Sequence, residues 1–213
     1  MSKRLLAIIE DNIMATKIAR QSTVVRKHQI IEAVIYLITT KGMEHVTIDA
    51  IAEQVGLTEG AIYRHFASKH QILTLLVDDI ENNLVRKVED AQIQGESALN
   101  NLEQILEAHL DDVQDRRATS FIVIAEAMSF DGIGLGPRVS QMLFNYLSIV
   151  QEVIKRGVRE GSMRDDLDVD AAATAFLGLV QSAATLWALN DYSHSLTDQR
   201  VKMWGIYRRG VTA

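Results

Sequence analysis

The chain has 213 residues, is 47% hydrophobic and carries a formal charge of −6, enough apolar content for a sizeable core and too much for a disordered chain. It contains no cysteine, which excludes disulfides, thiolate nucleophiles and cysteine-ligated zinc. No uninterrupted apolar run approaches the roughly 18 residues of a membrane span, and "LLAII" is cut by Glu10 and Asp11 too early for a secretory leader, so a cytoplasmic protein with no membrane partner is expected.

A single proline leaves few forced helix breaks, and long stretches rich in Ala, Leu, Ile, Glu and Gln keep a 3.6-residue period, which predicts an all-α fold. Charge is uneven. Residues 1–70 hold nine Lys/Arg against seven Asp/Glu, whereas residues 71–213 hold 13 against 21, so the N-terminal third is the part suited to a polyanion.

In chain order, Leu6, Ile9 and Ile13 have helical spacing, while "MATKIARQS" from Met14 reads as a natural start with a basic arm of Lys17 and Arg20. Residues 1–21 are therefore expected to be an extension. Ile31, Val34, Ile35 and Ile38 mark the first core helix, which Gly42 can end. Arg26 and Lys27 lie at its start, where positive charge opposes the helix dipole and phosphate contact supplies a reason; a solvated helix start is the plain alternative.

The stretch "TIDAIAEQVGLTEGAIYRHFASK" follows. Thr47 can cap a short helix whose Ile48, Ile51, Ala52 and Val55 share a face; Gly56 ends it, and Thr58 caps the next, with Ile62 and Phe66 inward. Two short helices joined by a glycine-containing turn have helix-turn-helix geometry, in which the second helix offers its N-terminal and outward residues to the major groove. Those residues are Thr58, Glu59, Gly60, Ala61, Tyr63, Arg64 and His65, and Thr47, Arg26 and Lys27 join them on the DNA-facing side. Ser68 and Lys69 open a further helix, where free N–H groups and an ammonium favour phosphate. Two capped helices that merely pack together would show the same spacing.

Residues 25–76, with "VVRKHQIIEAVIYLITTKG" and "G-L-T-E-G-A-I-Y-R-H-F-A-S-K", resemble the N-terminal domain of the tetracycline-repressor (TetR/AcrR) family of transcriptional regulators. The resemblance implies that Thr58, Tyr63, His65 and Lys69 contact DNA, and that Ile51, Ala52 and Phe66 are core. Glu59 and Gly60 stand where many members carry Ser or Thr; an acid there repels phosphate but can accept from a cytosine amine.

From Ser68 to about Gln92 one long helix carries Ile72, Leu73, Leu76, Val77, Ile80, Leu84 and Val88, a lever leaving the DNA-reading unit. Leu99, Leu102, Leu106, Leu110 and Val113 mark the next helix, and Phe121, Ala125 and Met128 a shorter one. "FDGIGLGPR" is the longest break; it follows a helix pattern, so its glycines fail the test for dinucleotide binding. Pro137 can open a helix with Val139, Met142, Tyr146, Val150, Val153 and Ile154 inward, closed by Gly161. Asp168 can cap a helix with an apolar face of Ala172, Phe176, Leu179, Ala183, Leu186 and Trp187. A last helix from about Leu196 carries Met203, Trp204 and Tyr207.

The expected division is 1–21 extension, 22–70 three-helix DNA-binding domain, and 71–213 helical effector-binding and dimerisation domain. One short recognition helix reads few base pairs, so specificity needs two copies across a pseudo-palindromic operator in double-stranded DNA. The resemblance adds that the last two helices dimerise, through Phe176, Leu179, Ala183, Trp187, Met203, Trp204 and Tyr207. It also implies a small-molecule effector among residues 99–190, with His109, Phe121, Met128, Phe144, Tyr146 and Trp187 as wall residues. The expected function is a dimeric repressor released by an effector; a regulator controlled by a protein partner is the alternative. No cofactor or metal is implied. No Glu is followed by His three residues later, and the G-x-S-x-G and P-loop patterns are absent, so an enzyme is not expected.

Overall fold

The computed structural model describes residues 23–92, 95–128 and 134–212, which form nine α-helices and two short 3₁₀ turns. The helices are α1 (Thr23–Lys41), α2 (Ile48–Val55), α3 (Glu59–Tyr63), α4 (Lys69–Asp90), α5 (Ala98–Asp115), α6 (Thr119–Ala127), α7 (Gly136–Arg159), α8 (Val169–Leu189) and α9 (Arg200–Val211). Expectations for the extension, including the helical spacing of Leu6, Ile9 and Ile13, fall outside the described residues, as do residues 130–133 of the glycine-rich break.

The helix ends follow the chemistry of their caps. Thr47, Thr58, Ser68, Ser97 and Asp168 each accept from a backbone N–H of the first turn that follows. Gly56 adopts φ 68°, ψ 38°, and the Leu57 N–H then returns to the Ala52 carbonyl at 2.8 Å, which closes α2. Pro137 is the second residue of α7 and not the first, a shift of one position. A 3₁₀ turn over Thr197–Gln199 delays the last helix to Arg200.

Two apolar clusters fill the interior. One joins α1–α3 to Ile72, Leu73, Leu76, Val77 and Ile80 of α4, and continues into Val123 and Ile124 of α6 and Leu135, Val139 and Met142 around the start of α7. The other takes Leu84 and Val88 of α4 with α5, the rest of α7, α8 and α9. Packing therefore runs without interruption across residues 70 and 71, and α4 belongs to both clusters.

Two helices are turned from their expected faces. On α6, Val123 and Ile124 are buried while Ala125 and Met128 are exposed. Arg117 and Ala118 enter α6 with left-handed φ values of 48° and 58°, a bend in the chain that a helical stripe does not encode. On α8 the buried set is Ala172, Ala173, Phe176, Val180, Ala184 and Trp187, and Leu186 points out. Helix α8 as a whole is long and apolar enough to cross a membrane by length and composition, although Thr174, Gln181, Ser182 and Thr185 interrupt its apolar run; less than half of it is buried in the protomer.

Candidate DNA-reading surface and effector cavity

The reading surface is built from its caps outward. The Thr58 hydroxyl accepts from the Ala61 N–H at 3.3 Å and the Thr47 hydroxyl from the Ala50 N–H at 3.1 Å. Ile62 and Phe66 anchor α3 inward, so Glu59, Gly60, Tyr63, Arg64 and His65 face solvent, Tyr63 with 52% of its surface exposed. Ala61 is a correction to the expected outward set: it is buried, because it shares the inward side with Ile62. A Cβ at Gly60 would meet nothing within 4 Å, so no neighbour inside the protein requires glycine there.

Lys27 of α1 and His65 line one open groove together with His70 and Gln71, so the fold brings the start of α1 beside the reading helix. Arg26 is half-buried and donates to the Gln29 side chain at 2.9 Å. At the start of α4, Ser68 accepts from the Gln71 N–H at 3.3 Å, and the Gln71 side chain accepts in turn from the Ala67 N–H at 2.7 Å. The cap occupies the Gln71 N–H, one of the helix-start donors expected to be free for phosphate, and leaves the first-turn N–H groups of Lys69 and His70. The spacing Ser-x-x-Gln carried the signal for it.

A second site lies where α4 passes between the clusters. Ile80 and Leu84 of α4 wall an enclosed cavity with His109 of α5, Ser120, Phe121 and Ile124 of α6, Met142, Leu143 and Tyr146 of α7, and Leu177 of α8. Its free volume, about 20 Å³, has room for about one water molecule. Inside, His109 Nδ1 lies 2.8 Å from the Tyr146 hydroxyl, and the Phe121 ring stacks on the imidazole at 6.4 Å. Burial holds the His109 imidazole neutral, its pKa pushed down to about 3, and raises the Tyr146 phenol above its ordinary value. Among the described residues no charged side chain lines the cavity.

Of the expected wall residues, His109, Phe121 and Tyr146 meet here. Met128 and Phe144 are 71% and 63% exposed, and Trp187 packs instead on Tyr192 and donates to the His194 carbonyl at 2.7 Å. Ile80 and Leu84 were legible only as lever residues, since nothing in a helical stripe tells which turn borders a cavity.

Flanking the cavity, the acidic side of α4 is tied to its neighbours. Arg138 of α7 pairs with Asp78 and Glu81, Asn145 donates to Glu81 at 2.5 Å, and Arg116 pairs with Asp79. Burial would raise the Glu81 pKa, but hydrogen bonds from Asn145 and Arg138 and the Arg138 charge outweigh it and hold the carboxyl below its usual value.

The aromatic residues expected at a dimer interface are a second correction. Phe176, Trp187, Trp204 and Tyr207 are buried in the protomer's own core, where Tyr207 stacks edge-on against Phe176 and donates to the Ala172 carbonyl at 3.0 Å. Leu179, Ala183 and Met203 are half-buried. The face of α8 and α9 left open is a different one, with Leu186, Leu189, Val201 and Ile206 exposed.

Among the described residues no group of three or more His, Asp or Glu comes together as a metal site.

Comparison with known proteins fits this arrangement. The Fatty acid metabolism regulator protein of Bacillus subtilis (strain 168) is 24% identical over 168 residues, covering 79% of this chain and 86% of that protein. The Nucleoid occlusion factor SlmA of Haemophilus influenzae (strain PittGG) is 27% identical over 158 residues, covering 72% and 71%. The transcriptional regulator FadR from Bacillus subtilis, crystallised in complex with stearoyl-CoA, superposes with a TM-score of 0.76 at 23% identity, over 86% of this chain and 98% of that one. Residues 30–76 match the family described as bacterial regulatory proteins, tetR family, and residues 77–208 match the YsiA-like protein C-terminal region. The chain belongs to the TetR family of helix-turn-helix, DNA-binding transcriptional regulators, a family that is not enzymatic.

Proposed function

We propose that the protein is a cytoplasmic, homodimeric repressor that a lipophilic small molecule releases from a pseudo-palindromic operator. Residues 22–70 read DNA, and residues 71–213 dimerise and receive the effector. Thr58, Glu59, Gly60, Tyr63, Arg64, His65 and Lys69 meet the duplex, with Arg26, Lys27 and Thr47 beside them.

The observation that carries this reading is the position of the cavity. Its wall at Ile80 and Leu84 belongs to the helix that begins at Lys69, at the foot of the reading unit. A cavity of about 20 Å³ cannot admit an effector without moving a wall. Displacing α4 changes the spacing of two recognition helices, and an effector that prefers that spacing lowers DNA affinity by the same factor by which DNA lowers its own.

The dimer seam lies on the exposed side of α8. Ala171, Ala175, Gly178, Ser182, Leu186 and Leu189 recur at helical spacing on one face, and Ala171, Ala175 and Ile206 share an apolar groove. Small residues allow close helix approach, and a second copy covers the apolar surface that the protomer leaves open.

The likeness to a FadR crystallised with stearoyl-CoA suggests long-chain acyl-CoA as the first effector to test. Genomic fragments bound by the protein supply the operator, and stearoyl-CoA is titrated against the labelled complex. Loss of the complex supports induction. An unchanged complex in the presence of bound lipid favours the alternative, control by a protein partner.

A further inference from the structure

A neutral imidazole carries one N–H and a phenol one O–H. Between His109 and Tyr146 there is one hydrogen bond, Nδ1 to hydroxyl at 2.8 Å, and it uses one of those two protons. If the phenol donates, the imidazole keeps a proton on Nε2; if Nδ1 donates, the phenol keeps its own. Either way one donor is left, and among the described residues neither side chain makes a second hydrogen bond. His109 is 3% exposed and Tyr146 1%, so bulk water reaches the pair at most at its edge, and the spare donor has no protein acceptor.

Around the pair the cavity offers no compensation by charge. Its other walls are the apolar side chains of α4, α6, α7 and α8 with the Ser120 hydroxyl, and no Lys or Arg is among them. Burial also keeps the imidazole from becoming a cation near neutral pH.

Resting on the effector reading above, we propose that the His109–Tyr146 pair is the polar contact of the effector site, donating one hydrogen bond to an uncharged acceptor oxygen of a lipophilic molecule and rejecting a carboxylate. An ester, thioester or ketone oxygen satisfies the spare donor and asks nothing more of the walls. A carboxylate at the same place is buried without a cation, which costs far more than one hydrogen bond returns. The site thus sorts molecules of the same chain length by head-group charge.

The test uses the full chain at pH 7.5 with two matched probes, methyl decanoate and sodium decanoate. Calorimetry should show the ester binding at least about tenfold more tightly than the carboxylate. With a ¹³C label in its carbonyl, the bound ester should show an infrared stretch shifted to lower frequency than in alkane, a readout that needs no variant. The double variant Tyr146→Phe/His109→Phe, which removes both donors of the pair and keeps a ring at each position, should lose the shift and about tenfold of ester affinity. Equal binding of both probes, or an unshifted carbonyl in the wild-type complex, overturns the inference while leaving an effector site in place. Binding of neither probe overturns the effector reading itself, and this inference with it.

Discussion

Thr58 caps α3 through its hydroxyl and is exposed, so on the proposed reading it serves recognition as well as structure. Thr58→Ala should therefore cost about 1 kcal/mol in urea unfolding and also change the preferred sequence in a selection of bound duplexes. Tyr63 and Lys69 have no such cap to make, so Tyr63→Ala and Lys69→Ala should lower affinity for all duplexes alike, in binding isotherms on operator and random DNA. His109 gives a residue-scale prediction for pH. Its folded pKa is near 3, below the ordinary value of 6.5, so the unfolded chain binds more protons between those limits. Stability is full above pH 6.5 and falls as pH drops through that window. Between pH 7.5 and 5 this one group should remove about 2 kcal/mol; His109→Leu, unfolded in urea at both pH values, should lack that part of the decline.

Helix α3 spans only five residues, far below the length at which a helix is stable in water, so its existence depends on Ile62 and Phe66 in the cluster below it. The turn before it depends on Gly56, whose left-handed backbone no Cβ favours. Gly56→Ala should cost about 1 kcal/mol in denaturant unfolding, although the added methyl would meet no neighbour. Helix α4 is held on its acidic side by Arg138 and Arg116, and on its apolar side by two clusters. Arg138→Ala removes the ion pairs of Asp78 and Glu81 and leaves Glu81 only the Asn145 hydrogen bond. The Glu81 carboxyl is held below its usual pKa, so its contribution is present above the unfolded value and lost as pH falls through the folded one. The variant should melt at lower temperature at pH 7 than wild type, with the difference narrowing in acid.

At the scale of the molecule, the proposed repressor sets two short recognition helices at one spacing, which on that reading is decided at the seam between copies. Leu186 and Ile206 are 60% and 63% exposed in the protomer. Leu186→Asp combined with Ile206→Asp should yield a folded monomer by analytical ultracentrifugation, with operator affinity falling toward that of random DNA. For the wild type, the logarithm of affinity should fall with the logarithm of salt by roughly 0.9 per phosphate neutralised; replacing Lys69 should reduce that slope by about one contact.

The sequence by itself determined the helices and the reading unit. Period, caps and glycine turns are local, and at Thr47, Gly56, Thr58, Ser68 and Asp168 each local signal agrees with the backbone that forms there. Only the tertiary structure decided which apolar residues are core and which remain exposed. Trp204 and Tyr207 read as interface residues in the chain, yet the protomer buries them, and plain aliphatic residues of α8 and α9 are left outside. It also decided that His109 and Tyr146, 37 residues apart, share a hydrogen bond, and that Ile80 and Leu84 border them. The physical reason is that burial depends on how a helix is rotated against its neighbours. That rotation is fixed by packing between helices and by the bends that join them, such as the left-handed pair Arg117–Ala118, and no stripe of side chains along one helix encodes it.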